Sequence, residues 1–237
     1  MLNRNLLISR QIQFSLDELR GYGEYMETFI QERIERFEDE NNVEELEKYK
    51  DTNPEYYYWI IDDLGDRWRE VHFVYPNNFR YSLFAQIYST LEVKLQSLVD
   101  RHKREFSTDF KVGEKLSYVG KSKRYLELAG LDLSDIDAEF VFIDSSLRLI
   151  RNQIMHENGY ITPSSKGWDS ILDFALKNRT YLQFEPDPFE IQVDGKPLHE
   201  SKSNFRFQLI FSGPKLNNDF FEKVKSIFIA IGKKPLF

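Results

Sequence analysis

Apolar residues recur along most of this chain at helical spacing. Between residues 11 and 40, Ile12, Leu16, Leu19, Met26, Phe29, Ile30, Ile34 and Phe37 repeat on one side, with charges between them. That period predicts a long amphipathic helix. Asn53-Pro54 reads as an N-cap with proline at the first helical position, opening a short aromatic helix, EYYYWIIDDLG. The YPNNF segment predicts a break. A strong helix is expected from Phe79, with Leu83, Ile87, Leu91, Leu95 and Leu98 as its stripe. It closes on Arg101, His102, Lys103 and Arg104, cations suited to a helix C-terminus. Residues 113 to 129 predict another helix, ending before Gly130.

The next helix has the cleanest pattern. Ser134 followed by Asp137 resembles a capping box, with Asp in place of the usual Glu. Phe140, Ile143, Leu147, Ile150 and Ile154 then repeat at alternating steps of three and four, and Gly159 suits the position just past the helix end. A helix over 168–183 completes a bundle. Beyond residue 188 the period changes to alternation. DPFEIQVDGKPL contains the turn pair Asp194-Gly195, NFRFQLIF alternates as a strand does, and residues 217–231 read as a final helix. The expected fold is therefore all-α: a helical bundle over 1–185, with a hairpin-plus-helix appendage, 186–237, packed on it.

Composition narrows the function classes. Of 237 residues, 41% are hydrophobic and 15% aromatic, ample for a core. There is no cysteine, which excludes disulfide frameworks and thiolate metal sites and fits a reducing compartment. No apolar run has the length of a signal peptide or a membrane span, so the expectation is a cytoplasmic protein away from membranes. The formal net charge of −7 argues against a broad basic groove for duplex DNA but leaves room for a local basic site. Much of the acidity sits in ERIERFEDENNVEELEKYKD, residues 32–51, which reads as a solvated helix face and loop.

Two motifs fail. KLSYVGKS has Lys115 where a phosphate-binding loop needs glycine, and no apolar strand precedes it. HENGY has Tyr160 where a zinc-protease helix needs its second histidine. No metal or cofactor is expected. The stretch that survives is RLIRNQIMHENG, residues 148–159. With Ile154 facing the core, Arg151 lies about 60° to one side, while Asn152 and His156 share the opposite flank and Arg148 extends their row. A guanidinium, an amide and an imidazole can then gather near the end of one helix. The carbonyl end of a helix suits a histidine that gives a proton to a leaving oxygen. A forked guanidinium suits a phosphate gaining charge. Asn152 can hold a phosphate oxygen or fix the imidazole ring. These are the parts for metal-free cleavage of a phosphodiester by an internal 2′-hydroxyl, a nucleophile found in RNA and not in DNA. The same residues also read as the polar flank of a core helix with His156 at its dipole. Glu92, on the neighbouring helix, reads either as an orienting group for Arg151 or His156 or as an ordinary partly exposed acid.

RNQIMHENG resembles the signature of the HEPN domain family: Arg, a polar residue that is often Asn, then His near the end of a core helix. YSTLEVKLQSL resembles the helix that packs beside it. The resemblance covers roughly residues 80 to 185. It implies a helical bundle that dimerises with the motif helices facing each other. Many members are metal-independent endoribonucleases of toxin–antitoxin, abortive-infection and phage-defence systems. Carried over, it makes Arg151, Asn152 and His156 the catalytic set, with Arg148 and Glu92 beside it. A subfamily controlled by tyrosine adenylylation has Tyr two residues after the His, and Asn158 stands there in this chain. A dimer is also expected on chemical grounds. Cleavage is helped by both a base and an acid, one chain offers one suitable histidine, and two-fold dimers are the commonest assembly. The expectation is an endoribonuclease toxin or defence effector whose partners are RNA, a second copy and an antitoxin or defence-system protein. The competing expectation is a non-catalytic HEPN-like module that binds a partner protein or nucleotide through the YYYW region and the tail.

Overall fold

The computed structural model describes residues 4–41, 46–186, 192–193, 196–197 and 205–234. Helices dominate: α1 (Arg4–Glu40), α2 (Tyr49–Thr52), α3 (Pro54–Arg69), α4 (Tyr75–Phe106), α5 (Tyr118–Leu128), α6 (Asp137–Phe142), α7 (Arg148–Glu157), α8 (Trp168–Lys177) and α9 (Lys215–Lys233). The strands are short: β1 (Tyr160–Ile161), β2 (Leu182–Glu185), β3 (Gln192–Val193), β4 (Lys196–Pro197) and β5 (Phe207–Phe211). The fold is mostly all-α with a small sheet and a terminal helix. No helix among the described residues is long and apolar enough to cross a membrane.

The periodic stripes explain the packing. Leu83, Ile87, Leu91, Leu95 and Leu98 of α4 are buried at the centre, and α1 turns Ile12 and Leu16 inward. α9 buries Phe220, Val224, Ile227 and Phe228 against α1 and α4. Polar links fix these helices to one another. Arg80 of α4 forks onto Glu27 of α1 (2.8 and 2.7 Å), and Ser9 donates to the Phe228 carbonyl at 2.6 Å.

Four local expectations are corrected. YPNNF does not break the chain. A π-turn at Glu70–Val74 joins α3 to α4, and Pro76 directly follows it within the continuous helical run. Asn77 is buried there, donating to the Leu209 carbonyl (3.1 Å) and accepting from the Phe211 amide (3.0 Å), so the supposed break is a clamp on β5. The predicted capping box is not formed. Asp132 accepts from the Ser134 amide at 3.0 Å, and a 3₁₀ turn, Ser134–Ile136, leads into α6. The predicted 168–183 helix stops at Lys177. Leu182 and Phe184 then alternate with the exposed Gln183 and Glu185 as strand β2.

The last correction concerns the expectation that strands begin only beyond residue 188, since β1 and β2 precede it. NFRFQLIF does contain a strand, and Phe207, Leu209 and Phe211 point inward as the alternation predicts. Its partners are β1 on one side and β2 on the other, both antiparallel, with Ile161 opposite Phe207 and Leu182 opposite Phe211. A separate pair, β3 and β4, flanks Asp194-Gly195, the turn residues themselves lying outside the described residues. The segments on either side of residue 186 therefore share one sheet and one core.

Candidate functional site

α6, a π-turn at Ile143–Leu147 and α7 form one continuous rod. Its stripe of Phe140, Ile143, Leu147, Ile150 and Ile154 is buried, as the spacing predicts. The π-turn, closed by the Arg148 amide on the Ile143 carbonyl, inserts one residue before the motif. Such insertions recur at functional sites, because they re-aim the side chains that follow. Asp144, Arg148, Asn152 and His156 then form a row at steps of four along the flank.

The rod's end is rigidly defined. Asn158 and Gly159 both take left-handed φ values, 54° and 79°, and the Gly159 amide closes on the Gln153 carbonyl at 3.0 Å. A β-carbon on Gly159 would collide with the Tyr81 ring, so the position requires glycine on steric as well as conformational grounds. The Gly159 carbonyl accepts from the Leu209 amide at 2.9 Å, and the Tyr81 hydroxyl donates to the Leu209 carbonyl. The histidine end of α7 is thereby fastened to β5.

Arg151 is half-buried where α7 crosses α4. Its Nη2 lies 3.8 Å from Glu92 Oε2, its Nη1 donates to Asn152 Oδ1 at 3.2 Å, and its guanidinium sits 5.7 Å from the centre of the Tyr88 ring. Glu92 is partly buried and ion-paired to Arg151. Burial pushes the Glu92 carboxyl above its ordinary value, and the Arg151 charge pulls it partly back. Arg148 is occupied locally: its Nε donates to the Asp144 carbonyl (2.8 Å) and lies 3.3 Å from Asp144 Oδ1.

His156 stands apart. It is exposed at the end of α7, with no hydrogen bond or ion pair among the described residues. One chain therefore brings Arg151, Asn152 and Glu92 together and leaves His156 a turn away, where the sequence alone suggested that all three motif residues gather. Tyr88 and Asp144 were not singled out from the sequence. Tyr88 is buried beneath Arg151 with a hydroxyl that has no hydrogen-bond partner among the described residues, and burial, then Glu92 and Asp144, hold it well above the usual phenol range. Their signal was present in the four-residue steps from Tyr88 to Glu92 and from Asp144 to Arg148.

Beside Glu92 opens a cleft of about 380 Å³ lined by Glu92, Val93, Gln96, Ser97 and Tyr118. The KLSYVGKS stretch lies at its edge in a structural role: Ser117 caps α5 by accepting from the Gly120 amide at 2.9 Å. Among the described residues no group of three or more metal-ligating side chains converges. The acid excess also lies elsewhere. Residues 24–72 hold 16 acidic side chains against 6 basic ones, and the remainder of the chain holds 23 against 26.

No protein-family profile, curated protein or solved structure matches this chain.

Proposed function

We propose that the protein is a metal-independent endoribonuclease, acting as a homodimer in the cytoplasm as a toxin or antiviral-defence effector. The observation that carries this is the posture of Arg151. It is half-buried, aimed by Glu92 and Asn152, and placed a turn before an exposed histidine at a fixed helix end. The HEPN signature, Arg-Asn then His on a core helix, supplies the biological class. In this account Arg151 holds the scissile phosphate and stabilises its growing charge. Asn152 keeps the guanidinium fork in place; the 2′-oxygen bonds to phosphorus as one copy of His156 takes its proton, and the bond from phosphorus to the 5′-oxygen breaks as the second protomer's copy protonates that leaving oxygen. Tyr88 packs under the guanidinium, where its ring face favours a cation.

The homodimer is part of the proposal because one chain offers one suitable histidine and cleavage is helped by both a base and an acid. Val141 on α6 and Met155 on α7 are more than half exposed on the motif rod, apolar material for a two-fold contact. Light scattering across concentration should show a dimer, and a strict monomer with full activity would remove this part of the account. RNA cleavage by the purified protein should persist in EDTA and leave 2′,3′-cyclic phosphate ends, while a 2′-deoxyribose at the cut should block it. Cleavage that needs a divalent ion, or that proceeds through the deoxy substitution, would rule the mechanism out.

A second reading, a module that binds a partner protein or nucleotide without catalysis, is favoured by the exposed rings of Tyr58 and Trp59 on α3. It takes over if the purified chain cleaves no RNA.

A further inference from the structure

Tyr118 is the most exposed large apolar side chain among the described residues, with 72% of its surface open. Helix α5 does not need it. Val119, Tyr125 and Leu126 supply the buried face, and Ser117 supplies the cap. Its ring lies instead on the cleft of about 380 Å³ whose opposite wall includes Glu92, the ion-pair partner of Arg151. Glu92 to Ser97 spans five residues of α4, roughly 7.5 Å at 1.5 Å per residue. The cleft thus joins Glu92, the ion-pair partner of Arg151, to the tyrosine.

The stretch of chain that carries the ring is basic. Residues 101–124 hold eight Lys and Arg side chains against three acids. Lys121 Nζ sits 5.9 Å from the centre of the Tyr118 ring, and neither Lys115 nor Lys121 makes an ion pair among the described residues. An open aromatic face next to an unpaired lysine is the combination that holds single-stranded nucleic acid, the ring stacking a base and the ammonium meeting a phosphate.

We propose that Tyr118 is a base-stacking platform, with Lys121 on the adjoining phosphate, for the strand whose scissile phosphate Arg151 holds; the assignment of that strand as RNA substrate rests on the endoribonuclease reading. Stacking accepts any base, so this contact adds affinity with little sequence choice. It positions substrate without taking part in the proton transfers.

The test measures binding apart from cleavage. In a His156→Ala background, a single-stranded oligoribonucleotide carrying one 2-aminopurine is titrated with the protein, the label being walked along the strand. At one label position binding should quench the emission. Tyr118→Ala should abolish the quench and weaken binding roughly 5- to 150-fold, the usual worth of one stacked base. Tyr118→Phe and Tyr118→Trp should keep both, while Tyr118→Leu should behave like alanine despite its apolar bulk. The all-deoxy version of the strand should give the same quench, because stacking does not use the 2′-hydroxyl. A quench that survives Tyr118→Ala, or leucine binding as tightly as phenylalanine, would overturn the proposal. So would sedimentation showing that Tyr118→Ala dissociates a dimer, since the residue would then serve a second copy of the chain. Absent cleavage in the parent protein sinks the nuclease reading and leaves this result intact; normal cleavage with unchanged binding by Tyr118→Ala does the reverse.

Discussion

Helices α3 and α4 are joined end to end by one π-turn, yet they live in different environments. α4 buries Tyr81, Phe84, Ile87, Tyr88 and Leu91 among others, while α2, α3 and the π-turn behind them bury nothing. The α3 arm leans on the second half of α1 through light contacts. Phe37 meets His72 edge-on at 6.0 Å, Arg67 lies 5.7 Å from the Phe37 ring, and His72 Nε2 is 3.2 Å from Glu38. The second half of α1 and this arm together carry the chain's acid excess, so the region with Arg151 and His156 is not the region that makes the protein acidic. A net charge read from the whole sequence therefore says little about the field at the site, which is set by charges within about a Debye length, roughly 10 Å.

The most severe challenge to this contrast is truncation on each side. Leu91→Ala, in the fully buried stripe, should lower stability by about 2–5 kcal/mol. Trp59→Ala, on the arm, should stay within about 0.5 kcal/mol. Urea unfolding of both variants checks this, and equal losses would dissolve the distinction. Native-state hydrogen exchange sharpens it further. The slowest α4 amides should exchange only through global unfolding, and those of α3 at least about 10²-fold faster through local opening.

A smaller effect is expected at the join between the site and the sheet. Gly159→Ala puts a β-carbon into the Tyr81 ring at a backbone angle that alanine resists, and should cost about 1–3 kcal/mol. Because the same contact fixes the His156 end, cleavage should fall along with thermal stability. The smallest effect is the pH response of Glu92. Burial holds its folded pKa above the ordinary 4.5, so the fold favours the protonated acid. An ionised Glu92 is therefore a burden that grows as pH rises through its folded value. Glu92→Gln should be slightly more stable than the parent at neutral pH, and the advantage should vanish below about pH 4.5, where both folded and unfolded Glu92 are protonated. Urea midpoints across pH would show it, and a constant difference at all pH values would count against the cause given. The same variant should cleave RNA more slowly, since Arg151 loses its orienting partner.

What was legible in the sequence was long-period order. The stripes of α4 and the α6–α7 rod, the Asn53-Pro54 start and the glycine past α7 follow from side-chain periodicity and local backbone rules and appear in the fold, whereas the α1 stripe is buried only at Ile12, Leu16 and Ile30 and leaves Phe29 exposed. What was not legible depends on distant contacts. YPNNF has break-forming residues, but the π-turn and the hydrogen bonds from Asn77 to β5 carry the helix through. β1 and β2 are too short to announce themselves and exist because β5 pairs with them. At the site, the four-residue row was visible, whereas the choice of Arg151 to face Glu92 and Asn152, leaving His156 alone, is a matter of how α7 crosses α4. Tyr88 looked like any core aromatic.

The central claim, that this helix end cuts RNA, is tested most directly by comparing RNA cleavage in EDTA for the parent protein, His156→Ala, Arg151→Ala and Arg151→Lys, with thermal midpoints measured on the same samples. His156→Ala should lose about 10²–10⁴-fold in rate and Arg151→Ala about 10²–10³-fold. Arg151→Lys should recover only part, for want of the planar fork. The midpoint of His156→Ala should not move, because the side chain is exposed. A folded His156→Ala that cleaves RNA as fast as the parent would contradict the account.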